Sequence, residues 1–199
     1  MIEKTLRSRR RALPVGLLWS LAAGWASTTR PSQAQTLVSG SKTLVAYFSR
    51  TGNTRVIAGQ IRRSRDADLF EIRPATPYPE DYEETVAQAR RERDEGYEPA
   101  LAATVPAIST YDTVFLGLPV WGGTAPPIIR SFLSRHDLAG KTLVPFITHG
   151  GYGRGQSAQV IQSHAPHSTL LDGFTMEADQ ERRTLETVTQ WLREVPSNR

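Results

Sequence analysis

None of the 199 residues is cysteine. That excludes a disulfide framework, a Cys-x-x-Cys redox pair, a thiolate nucleophile and an iron–sulfur cluster. A phosphatase built on a cysteine nucleophile is excluded with them. Any redox chemistry in such a chain must come from a bound organic cofactor. No Ser-His-Asp order or paired carboxylates can be made out, and His136, His164 and His167 lack ligand spacing with one another, so nothing supports a metal site. A membrane-spanning run is also missing. The apolar stretch Ala12 to Ala26 is 15 residues long, short of the roughly 20 a bilayer requires.

That stretch follows Met1 to Arg11, which carries Lys4, Arg7, Arg9, Arg10 and Arg11 against Glu3, and it precedes Ser32-Gln33-Ala34, a small-x-small sequence. Residues 1–34 therefore read as an export signal, with 35–42 as a linker and 43–195 as the folded domain. Ser8-Arg9-Arg10-Arg11-Ala12-Leu13 resembles the bacterial twin-arginine signal, which carries folded, cofactor-loaded proteins; an arginine-rich general secretory signal is the alternative. Either route implies a periplasmic destination, with no stable membrane span once the signal is removed. Residues 1–34 hold six Lys or Arg against one Glu, a net +5, and the whole chain is +4, so the remainder carries −1. The high pI belongs to the targeting segment and gives no support to nucleic-acid binding.

The mature part alternates strands and helices. The expected strands are 44–48, 68–72, 113–118, 143–148 and 169–175; the expected helices are 54–63, 83–95, 126–135, 156–163 and 180–193. Val56, Ile57 and Ile61 are spaced for one buried helical face, as are Leu185, Val188 and Leu192. Pro126 opens a helix where a missing N–H costs nothing. The charged run Arg90 to Glu95 reads as a solvated face, and Trp191 and Phe174 as core. Strands that are nearly continuously apolar indicate a parallel sheet covered on both sides.

The first strand feeds into Ser49-Arg50-Thr51-Gly52-Asn53-Thr54, a hydroxyl-rich turn before a helix. Backbone N–H groups, hydroxyls and the helix dipole would converge there on one point, a pocket for a phosphate dianion. Gly52 allows close approach, and Thr54 is the expected helix cap. This turn is neither a dinucleotide fingerprint nor a Walker loop.

The turn resembles the phosphate loop of flavodoxins, S/T-x-T-G-N-T after the first strand. Gly117-Leu118-Pro119-Val120-Trp121-Gly122-Gly123, Pro145-Phe146-x-Thr148-His149-Gly150-Gly151 and Tyr78-Pro79-x-x-Tyr82 resemble a bacterial flavodoxin subfamily. The resemblance covers most of residues 43–193. It implies a flavodoxin-like α/β fold, a five-stranded parallel sheet of order 2-1-3-4-5, noncovalent FMN and electron transfer. Ligands on such a sheet sit outside the carboxyl ends of strands one, three and four. The loops after strands three and four are the glycine-rich ones, and each carries an aromatic ring.

Carried over residue by residue, the resemblance gives Ser49, Thr51, Gly52, Asn53 and Thr54 to the phosphate, with Arg50 either adding a contact or facing solvent. Pro119, Val120, Trp121, Gly122 and Gly123 would line the flavin ring. Thr148, Gly150 and Gly151 would bond its polar edge through main chain. Tyr152 is open between a stacking face and a surface ring. His149 either tunes the flavin or is satisfied by its own loop, the second being favoured.

The expected function is electron transfer outside the cytoplasm, with a redox protein or a small molecule as partner. One alternative is an FMN-dependent NAD(P)H:quinone or flavin reductase, for which the loop from Pro74 to Asp81 is the lid candidate. Another is a flavin-free binding module on the same fold.

Overall fold

The computed structural model describes residues 42–178 and 181–195, excluding the side chains of 181–186. The signal and most of the linker expected at the start of the chain lie outside the described residues, as does the side chain of Leu185.

The order is β1 (Lys42–Tyr47), α1 (Asn53–Arg65), β2 (Asp68–Glu71), α2 (Tyr82–Asp94), β3 (Tyr111–Pro119), α3 (Pro127–Arg135), β4 (Thr142–His149), α4 (Ser157–His164), β5 (Thr169–Leu170), β6 (Phe174–Glu177) and α5 (Glu181–Glu194). All strands run parallel, in the order β2-β1-β3-β4-β5, and β6 also pairs with β4. The expected sheet order holds.

Alternation along the strands builds two cores. Leu44, Ala46 and Phe48 with Val114, Leu116 and Leu118 meet Ile128, Ile129 and Phe132 of α3. Val45 and Tyr47 with Phe115, Val144 and Phe146 meet Ile57 and Ile61 of α1 and Val188 and Leu192 of α5. Period two on the strands and 3.6 on the helices divide these residues between the faces. Trp191 and Phe174 pack together with ring centroids 5.2 Å apart, as expected of core residues. Gly117 leaves the space that the Phe146 ring fills over β3: a Cβ there would lie 2.2 Å from that ring.

The strand expected over 169–175 is two strands. Leu171 N–H donates to the Leu143 carbonyl, so the odd-numbered residues of β4 turn their main-chain groups to this edge. Pro145 is the next of them and has no N–H to offer. The ladder breaks there, and Gly173, at φ +70°, passes against the Pro145 carbonyl, where a Cβ would lie 2.1 Å from the oxygen. The chain rejoins the sheet as β6.

Candidate functional site

A cavity of about 670 Å³ opens at the carboxyl ends of β1, β3 and β4. Its floor is formed by three loops.

The first loop leaves β1 at Phe48, whose N–H donates to the Gly117 carbonyl. Ser49 Oγ accepts from Gly52 N–H at 3.1 Å, tying the turn to itself. Thr54 was the expected helix cap; Gly52 holds that position instead, at φ 100° and with no side-chain hydrogen bond. A Cβ is disfavoured at such a φ, which is why glycine stands there. Thr54 lies inside the first turn of α1, buried, and its hydroxyl meets that of Thr148 at 2.9 Å. The start of α1 thus has no side-chain cap and no acid in its first turn, while Arg62, Arg63 and Arg65 sit favourably at its carboxyl end.

The second loop is a two-residue hairpin. Trp121 and Thr124 exchange backbone hydrogen bonds across Gly122 and Gly123, both at positive φ, the pattern of a type I′ turn. Trp121 is held edge-on by Phe48 at 5.2 Å and Tyr78 at 5.0 Å. Thr124 Oγ1 is buried without a hydrogen-bond partner and lines the cavity.

The third loop, after β4, braces the second. Gln156 N–H donates to the Gly123 carbonyl at 2.9 Å. His149 Nδ1 accepts from Gly151 N–H at 3.1 Å, so its own loop satisfies it. Tyr152 is 91% exposed and stands apart from the cavity.

Of the residues expected at the site, Arg50, Thr51, Asn53, Thr54, Pro119, Val120, Trp121, Gly122, Thr148 and Gly150 line the cavity. Ser49, Gly52, Gly123, His149, Gly151 and Tyr152 do not; the first five shape the loops, through Ser49 Oγ, the positive φ of Gly52, the Gly123 carbonyl and the His149–Gly151 bond. Arg50 Nη2 donates to the Glu80 carbonyl, and its guanidinium lies 5.7 Å from the centre of the Tyr82 ring.

Unforeseen in the sequence is the wall supplied by α2: Tyr82, Thr85, Val86, Ala89, Arg90 and Arg93. Asp81 caps this helix, accepting from Glu84 N–H at 2.9 Å. The charged run from Arg90 to Glu95 is therefore not a purely solvated face. Glu92 is buried at 7% exposure, accepting from Tyr78 Oη and Gln88 Nε2, each at 2.8 Å. Burial, reinforced by that carboxylate, pushes the Tyr78 hydroxyl far above the usual phenol range. The spacing Thr85, Ala89, Glu92 was the available signal, two small residues and one acid on a helical face. The Pro74–Asp81 loop proposed as a lid contributes none of the cavity lining; the covering element is the helix that follows it.

Among the described residues no cluster of His, Asp or Glu could hold a metal ion, and no helix is long and apolar enough to cross a membrane.

Residues 42–195 match the family model described as Flavodoxin. A crystal structure of a protein assigned as a flavoprotein from Bacteroides eggerthii is 36% identical, covering 78% of this chain and 98% of that one, with a TM-score of 0.68. A similar protein from Bacteroides uniformis is 33% identical over 77% of this chain and 99% of that one, with a TM-score of 0.69. A flavoprotein from Lactobacillus acidophilus, solved in complex with FMN, shares the fold at 22% identity, over 73% of this chain and 99% of that one, with a TM-score of 0.59. No curated protein matches the chain.

Proposed function

This chain belongs to the flavodoxin family, and we propose that it binds FMN noncovalently and exchanges electrons through it. The carrying observation is that one cavity joins the uncapped start of α1, with Thr51, Asn53 and Thr54, to the glycine hairpin bearing Trp121. The donor set fits the group. A phosphate dianion is matched by free helix N–H groups, hydroxyls and a first turn without acid. A flat polar ring is matched by a close-lying main chain and an aromatic neighbour. The FMN complex of the Lactobacillus acidophilus protein agrees with this assignment.

When bound, FMN supplies the one- and two-electron chemistry that a cysteine-free chain lacks. The residues of the chain do the rest. Asn53 and Thr54 present the helix start to the phosphate, and Ser49 keeps the turn in shape by accepting from Gly52. Phe48 and Tyr78 fix the Trp121 ring, so the face it offers costs little ordering when the ligand arrives. The Thr54–Thr148 hydroxyl pair locks the phosphate loop to the end of β4. The α2 wall keeps water from one side of the cavity.

That wall favours a reductase with a small acceptor over an open carrier that docks to a redox protein. The reading of residues 1–34 as an export signal supports a location for this activity outside the cytoplasm. Two measurements on the purified full-length protein test these statements. Flavin absorption bands should be present or appear on adding FMN, and NAD(P)H should be oxidised with a quinone or free flavin as acceptor. A colourless protein that ignores FMN would leave a flavin-free binding module; bands without turnover would leave a carrier.

A further inference from the structure

The cavity has a second cationic end, for which FMN gives no reason. Arg50 stands beside the phosphate loop, whereas Arg90 and Arg93 reach the cavity from α2. Among the described residues, no Asp or Glu lines it. Glu92 is buried against Tyr78 and Gln88. Asp94 alone serves both guanidiniums, 2.9 Å from Arg93 and 3.8 Å from Arg90, and at 54% exposure its charge is largely screened by water.

Arg93 is seated. Its side chain is only 29% exposed, and its Nη1 occupies the space above Gly122, where a Cβ would lie 2.4 Å away. The missing side chain at the hairpin tip is what admits the guanidinium. The positive charge is therefore held against the turn that carries Trp121, in a partly enclosed space, with the half-exposed Asp94 as its one ion-pair partner among the described residues. Such a site strengthens attraction for an anion. The planar fork of arginine suits a carboxylate, sulfonate or phosphate.

We propose that Arg90 and Arg93 bind the anionic group of a small co-substrate that exchanges electrons with the flavin. This rests on the FMN assignment above. The FMN phosphate already has the start of α1, so the second cationic end is left for a second ligand.

The test uses the full-length protein loaded with FMN. Two anionic probes that leave oxidised FMN unreduced, 1,4-naphthoquinone-2-sulfonate and NADP⁺, are titrated while the flavin absorption is followed; uncharged menadione is the control. At least one anionic probe should saturate, more weakly as salt is raised. Arg93→Gln and Arg90→Gln should each weaken it on the order of tenfold, the loss of one charge-assisted contact. Asp94→Asn, an exposed change that frees both guanidiniums, should tighten it. Menadione binding should stay unchanged, and FMN affinity should change far less than probe affinity. A response to NADP⁺ alone assigns a phosphate-bearing donor; a response to the sulfonate alone assigns an acidic acceptor.

The proposal is overturned if neither anion saturates, or if the arginine variants bind it as the unaltered protein does. It is also overturned if FMN affinity falls in step with probe affinity, because the arginines would then hold FMN itself. A protein that takes up no FMN shows this before any probe is added, and it removes the underlying reading together with the proposal.

Discussion

Gly155 lies so close to Gly123 that a Cβ at residue 155 would stand 2.0 Å from the Gly123 carbonyl oxygen. The loops after β3 and β4 therefore touch main chain to main chain, and Gln156 N–H bonds the same carbonyl. Neither loop can move without the other.

Gly155→Ala should accordingly cost about 2–4 kcal/mol, combining the left-handed conformation at φ +50° with an unavoidable overlap. FMN affinity should fall with it. Gly150→Ala is the contrast: a Cβ there meets nothing within 4 Å, and its melting temperature should match that of the unaltered protein. Thermal denaturation of both variants makes the comparison.

The Thr54–Thr148 hydroxyl pair, 2.9 Å apart and buried, joins the first turn of α1 to β4 across 94 residues of sequence. Thr54→Val or Thr148→Val leaves one buried hydroxyl without its partner, at about 1–3 kcal/mol each. The double variant should cost clearly less than the sum of the two. A double-mutant cycle from denaturant unfolding measures the difference, and strict additivity would show that the bond contributes nothing.

His136 fastens the segment before β3 onto α3. Its Nε2 accepts from Val105 N–H at 2.9 Å, and Nδ1–H donates to the Phe132 carbonyl at 2.7 Å. Burial lowers its pKa from the ordinary 6.5, the bond to Phe132 opposing in part. The unfolded chain therefore takes up the proton first. Stability is fully present above pH 6.5 and declines as pH falls from there toward the lowered folded value. His136→Phe should remove that part of the slope when melting temperatures are compared between pH 5 and 7.5, roughly the range over which histidine changes charge.

Much of this was legible before the structure. Apolar strands between amphipathic helices gave the parallel sheet, the resemblance to flavodoxins gave its order, and the topology rule singled out the loops after β1, β3 and β4, where the cavity opens. The misses have physical causes. One proline in β4 divides the last strand, an effect of a neighbouring strand, and the local mark of it in 169–175 was the turn signal Asp172-Gly173. Thr54 has the chemistry of a cap, yet the turn required a left-handed residue two positions earlier, and Gly52 took that position. The charged run on α2 has the composition of a solvated face. Only packing shows that Glu92 is buried by Tyr78 and that Arg93 fits over a glycine. Residues lining one cavity from distant elements leave little trace in periodicity, because each element's pattern reports its own burial and not its neighbours.

The central claim is that the start of α1 holds the phosphate of FMN. Binding of FMN and riboflavin to the full-length protein, followed by quenching of flavin fluorescence, tests it most directly. The two ligands differ only in the phosphate, and each charge-assisted hydrogen bond is worth about 1.5–3 kcal/mol. FMN should therefore bind at least about tenfold more tightly. Equal affinities would show that the loop does not hold a phosphate, and no binding of either ligand would contradict the account as a whole.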